Sequence, residues 1–204
     1  MKQFRLEKDS GFTLVEMMVS LGIGMVIVAA VTTTFMTQTK VYNAQEHVND
    51  MQQNARAALD MIARELKMAG YKPNTGPVYG LGALGVNLDN TKLVIEADLN
   101  EDNSINGTAG SLERITYAYN SGTKQITRRL GSGTSSVFAD NITAFNFTYL
   151  KADGVTPATL AAEIRQVKID ITAKTAAPDP SFPGNSGYRT YQVSATITPP
   201  NLGY

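Results

Sequence analysis

Residues 12–36 constrain this chain more than any other stretch. They form an apolar run of 25 residues broken by a single charge, Glu16. About 20 apolar residues are enough for a helix to cross a bilayer, so the run is long enough to span one with some tilt. The short polar segment before it carries Lys2, Arg5 and Lys8 against Glu7 and Asp9. A basic segment ahead of an apolar core has the outline of a secretory signal peptide. However, the apolar run is much longer than the usual 7–15 residues of such a peptide, and no small-x-small cleavage site follows it.

Glu16 needs a reason to be there. An acidic side chain in a membrane helix costs about 2.5–3.5 kcal/mol at the bilayer centre and less near the interface. A cut between Gly11 and Phe12 would create an α-amine four residues from Glu16, on the same helical face. That amine is cationic at neutral pH, and a helix N-terminus itself favours a carboxylate.

Gly11 followed by Phe12, with Glu16 four residues on, resembles the class III leader of type IV prepilins and type II secretion pseudopilins. The resemblance implies cleavage after Gly11 by a prepilin peptidase on the cytoplasmic side, and N-methylation of Phe12. It further implies that the apolar helix stays on the mature protein and becomes the packing core of a filament. Glu16 would there meet an amine on a neighbouring subunit.

Beyond residue 36 the helix is expected to continue. Val41, Ala44, Val48, Met51, Ala55, Ala58, Leu59, Ile62, Leu66 and Ala69 recur at spacings of three and four, which is one apolar stripe. Lys40, Glu46, Asp50, Gln53, Arg56, Asp60, Arg64 and Lys67 occupy the other side, with Asp60 and Arg64 spaced as a helpful i,i+4 pair. Gly70 is expected to end the helix and Pro73 to prevent its resumption. A helix over residues 12–69 would be roughly 85–90 Å long. Gly22, Gly24 and Thr32, Thr33 and Thr34 are where it is most open to bending. The stretch 52–71 also resembles the second half of the first helix in PilW-type minor pilins and the related PulJ-type pseudopilins.

Residues 71–90 are rich in Gly, Pro and Asn and read as an irregular connection. Alternating apolar positions then predict strands around Leu93, Ile95 and Ala97, around Ile115, Tyr117 and Tyr119, and around Ile126 and Leu130. Asn120, Ser121 and Gly122 supply a turn between the second and third. Further strands carry Phe145, Phe147 and Tyr149; Val167, Ile169 and Ile171; and Tyr191, Val193, Ala195 and Ile197. A proline-rich loop over 173–187 separates the last two. The expected fold is therefore α+β, with one sheet face packed on the helix stripe. The resemblance implies the type IV pilin fold. The organisation that follows is a leader over 1–11, a membrane or filament-core helix over 12–36, an amphipathic helix over 37–70, and a β-rich head over 71–204.

The loop Asp98-Leu-Asn-Glu-Asp-Asn-Ser-Ile-Asn-Gly107 is the one candidate for a bound ion. Asp98, Asn100, Asp102 and Ser104 fall at positions 1, 3, 5 and 7 of a calcium-loop pattern, whose alternate oxygens converge on one hard cation. Position 6 is Asn103 instead of glycine, and position 12 is Ala109 where a bidentate Glu is expected. Glu113 would substitute only if the loop folds back. A solvated Asp/Asn turn fits the same composition.

The inventory argues against an enzyme. There is no cysteine and one histidine, His47, set among polar helical residues. No Ser-His-Asp or Cys-His set can be assembled, and no HExxH motif or phosphate-binding glycine loop is present. Eighteen basic and eighteen acidic side chains give a formal net charge of zero, with no clustered basic run to favour nucleic acid. No cofactor is required on this reading, calcium being the single candidate. The resemblance implies a minor pilin, or alternatively a pseudopilin of a type II secretion system; a DNA-uptake or adhesive pilin is the weaker option. Its implied partners are other major and minor pilins through the N-terminal helix, the prepilin peptidase/methyltransferase and the inner-membrane assembly platform. Its implied location is the inner membrane, as a single-pass protein with a periplasmic head, and then a pilus at the cell surface.

Overall fold

The computed structural model describes residues 11–72 and 92–202. Residues 1–10 of the expected leader and nearly all of the expected 71–90 connection lie outside the described residues, as does Pro73. The chain divides between Gln45 and Glu46 into two compact units, with the helix α1 (Leu14–Leu66) contributing to both.

In the first unit, α1 is apolar around its whole circumference as far as Met36. Phe12, Leu14, Val15, Met17, Val26 and Val31 are all more than half exposed. Among the described residues α1 is the one helix long and apolar enough to cross a membrane. Its threonines do not break it. Thr32, Thr33, Thr34, Thr37 and Thr39 each donate their hydroxyl to the carbonyl four residues back, at 2.8–3.0 Å. Each hydroxyl is thereby satisfied inside the helix, which is what an apolar surrounding demands.

In the second unit the expected stripe is the core. Met51, Ala55, Ala58, Leu59, Ile62, Leu66 and Ala69 are buried, with Val48 partly buried beside them. Val41 stays exposed and Ala44 is intermediate, so the covered part of the stripe starts at Val48. The polar side is exposed as expected, but Arg64 Nε reaches the Asp60 carbonyl at 3.4 Å and not its carboxylate. The helix ends at Leu66, three residues before the expected Ala69, in a turn that closes at Gly70. This glycine has φ +78°, and an added Cβ would lie 2.8 Å from the carbonyl oxygen of Asn201. A side chain is excluded there by both backbone conformation and space.

Two antiparallel sheets pack on this stripe. The first has the order β1-β2-β3-β4 and the second β5-β6-β7. The strands are β1 (Lys92–Glu96), β2 (Arg114–Asn120), β3 (Gln125–Leu130), β4 (Ser136–Ala139), β5 (Ile142–Leu150), β6 (Gln166–Lys174) and β7 (Thr190–Ile197). Inward residues alternate most clearly on β6, where Val167, Ile169, Ile171 and Ala173 are buried while their neighbours are half-buried. Asn120 makes the predicted β2–β3 turn by accepting the N–H groups of Gly122 and Thr123 at 3.0 and 3.2 Å. The short strand β4 carries no clear alternation and is not predicted. It is fixed by pairing with β3 and by Phe138 meeting Tyr117 edge-on at 5.2 Å.

One polar group enters this core. Glu65, on α1 beside Leu66, is buried and accepts the Tyr117 hydroxyl at 2.6 Å and Arg128 Nε at 3.3 Å. Its other oxygen takes Arg128 Nη2. Burial, followed by this bond to Glu65, pushes the Tyr117 phenol well above its ordinary range. The trio ties α1 to β2 and β3.

Candidate functional site: the helix N-terminus and the 98–113 loop

Gly11 and Phe12 lie outside the helix and are exposed. α1 begins at Leu14, two residues later than expected, because Thr13 caps it. Glu16 N–H donates to Thr13 Oγ1 at 3.2 Å, while Thr13 N–H and its hydroxyl both donate to Glu16 Oε2 at 2.8 Å. This is the reciprocal capping box, in which two helix-terminal donors are satisfied at once. Thr-x-x-Glu ahead of an apolar run is the sequence signal for it. Glu16 therefore has a partner within its own chain. Both bonds fall on Oε2, and among the described residues Oε1 accepts none. Further along, Gly22 and Gly24 have nothing within 4 Å of where a Cβ would stand.

The 98–113 loop joins β1 to β2. Asp98 is wholly buried, and its Oδ2 accepts the N–H of Asn103 at 2.9 Å. Its Oδ1 is buried with no hydrogen-bond partner. Asn100 Oδ1 accepts Asp102 N–H at 3.0 Å, and Asn100 Nδ2 donates to Asp102 Oδ2 at 3.0 Å. Asp102 Oδ1 accepts both the hydroxyl and the N–H of Ser104 at 2.8 Å, which hold this carboxyl below its ordinary range. The loop does fold back. Glu113 is buried, with Oε1 accepting the N–H of Asn100 at 3.2 Å and Oε2 that of Asn106 at 2.7 Å. Among the described residues, no three acidic, histidine or cysteine side chains form a ready-made metal cluster.

Several basic side chains of the head are committed to acidic ones. Arg114 pairs with Glu96, Arg128 with Glu65 and Arg189 with Asp179.

Comparison with known proteins places these features. Residues 7–32 match the prokaryotic N-terminal methylation motif. Residues 44–198 match the family described as prepilin peptidase-dependent protein B. A methylation motif opening an apolar helix, and an α+β head packed on the later part of α1, define a type IV pilin-like protein. The chain belongs to the prepilin peptidase-dependent protein B family, whose match covers most of its length. Among solved structures, it is similar to the type IV-like pilin TTHA1219 from Thermus thermophilus, with 14% identity and a TM-score of 0.42. That likeness covers 74% of this chain and 98% of the other. No curated protein matches.

Proposed function

We propose that this chain is a minor pilin, a structural subunit that takes part in priming or capping a type IV pilus. A prepilin peptidase removes residues 1–11, and the new amine of Phe12 is methylated. The apolar part of α1 holds the protein in the inner membrane until assembly transfers it into the filament, with the head exported.

The observation that carries this reading is the pairing of a methylation motif over residues 7–32 with an exposed apolar helix whose single acid is Glu16. Glu16 Oε2 is spent on the cap, which leaves Oε1 for the cationic amine of an adjacent subunit. A charge-assisted bond of that kind offsets the cost of carrying a carboxylate into an apolar bundle. The open space at Gly22 and Gly24 supports close approach of neighbouring helices. Acid-paired Arg114, Arg128 and Arg189 favour this structural role over nucleic-acid binding.

The test is Glu16→Ala expressed in place of the native chain. Membrane insertion is expected to persist or strengthen, while recovery in sheared pili falls sharply. Unchanged recovery of the variant would refute the pairing role. Recovery of the native chain with secretion-system subunits, and never with pili, would assign it to the pseudopilins instead.

A further inference from the structure

The Asp98 carboxylate is the most exposed inconsistency in the head's chemistry. A buried carboxylate oxygen without a donor is expected to have a partner that protein atoms do not supply. Here the unpartnered Oδ1 belongs to a side chain with no solvent exposure, and its sister oxygen is fastened to Asn103 inside the loop. The carboxylate is thus aimed into the loop that carries Asn100, Asp102 and Ser104.

We infer that the 98–113 loop is a calcium site, with Glu113 supplying the acid that the loop pattern lacks at position 12. Two departures from the pattern are resolved by the fold. The sharp turn at position 6, normally made by glycine, is made by Asn103 with φ +62°, a conformation asparagine tolerates better than most residues. The missing acid is replaced because the loop closes over Glu113, whose two oxygens bind the N–H groups of Asn100 and Asn106.

Glu113 is not used up by those bonds. A carboxylate offers about four lone-pair sites, so each oxygen keeps capacity for a cation after accepting one N–H. The donor set would be Asp98, Asn100, Asp102, the Ser104 carbonyl and Glu113, all oxygen, as calcium prefers. Asp102 is at present turned onto Ser104, so binding requires it to swing inward from an exposed position.

The base of the loop is braced. Ser132 N–H donates to the Gly107 carbonyl at 2.8 Å, and Gly110 N–H to the Leu130 carbonyl at 3.2 Å. At Gly131 an added Cβ would fall 1.8 Å from the Thr108 carbonyl oxygen. The acid from the far end of the loop is therefore held near the start of the loop before any ion arrives. This inference concerns the head alone and stands independently of the pilin assignment.

The experiment is equilibrium dialysis of the full chain in detergent micelles against radiolabelled calcium, with melting curves in calcium, magnesium or chelator. A single saturable site in the millimolar range or tighter is expected, with a rise in melting temperature by mass action. Magnesium, which demands tighter octahedral geometry, should give a much smaller rise. Glu113→Gln and Asp98→Asn should each weaken calcium binding by about tenfold or more. Both positions are buried and their substitution risks misfolding, so Asp102→Asn at the exposed position gives the same test without that risk. Asp153→Asn, an acid in a different loop, should bind calcium as the native chain does. Absence of saturable binding, or binding that Asp102→Asn and Glu113→Gln both leave unchanged, would overturn the site.

Discussion

The two parts of α1 on either side of Gln45 obey opposite rules. Before it, apolar residues surround the helix as far as Met36, and Leu14, Met18, Met25 and Val28 are all exposed. After it, apolar residues keep to one stripe, and Ile62 and Leu66 have no solvent exposure. A helix apolar on all sides needs a lipid or a bundle of its own kind around it, whereas a striped helix needs one partner surface. One continuous helix is thus written for two surroundings, and only the second is supplied by the chain itself.

The sharpest way to break this comparison is to place a charge in each part. Ile62→Asp buries an unpaired carboxylate in the head and is expected to abolish its cooperative melt. Val26→Asp should leave the head's melt unchanged while impairing membrane retention. Equal effects of the two on the melt of the full chain in micelles would show that the division is misplaced.

Next in size is the polar group inside the striped part. Glu65→Ala leaves Arg128 and the Tyr117 hydroxyl without their partner, and breaking such a buried pair costs about 3 kcal/mol or more. Glu65→Gln keeps a hydrogen-bond acceptor and should cost clearly less. Chemical denaturation separates the two variants.

A smaller effect is expected at the start of the helix. Thr13→Ala removes the cap and should cost about 1 kcal/mol of local helix stability. Hydrogen exchange at residues 14–17 should quicken, with no change in the head.

How much of this was legible depends on the element. The stripe and six strands follow from spacings of three to four and of two, because those periods are imposed by what each element buries. β4 is four residues long, too short for a period to register. Glu65 falls next to the stripe, and its burial depends on Arg128, 63 residues away, which no local pattern encodes. The capping box is written openly as Thr13-x-x-Glu16, yet the charge of Glu16 in an apolar run draws attention to a partner outside the chain. Glu113 is visible as an acid, but its reach to Asn100 exists only once β1 and β2 are paired.

The smallest expected effect is that of pH. Asp153 is held at about 2 by the Thr156 hydroxyl and by the N–H groups of Val155 and Thr156. Glu163 is held at about 2 by Lys151 and Thr159. Depressed carboxyls contribute stability that is complete above their unfolded values, 3.8 and 4.5, and is lost as pH falls toward the folded ones. The melting temperature should therefore hold steady from neutral pH down to about 5 and decline gradually below about 4.5. Asp153→Asn and Glu163→Gln should flatten that decline.

The central claim is that the first part of α1 opens a processed pilin subunit, and the intact mass of the protein purified from its own cells tests this most directly. The account predicts a main species that begins at Phe12 and carries one added methyl group there. A main species that retains residues 1–11 would contradict it.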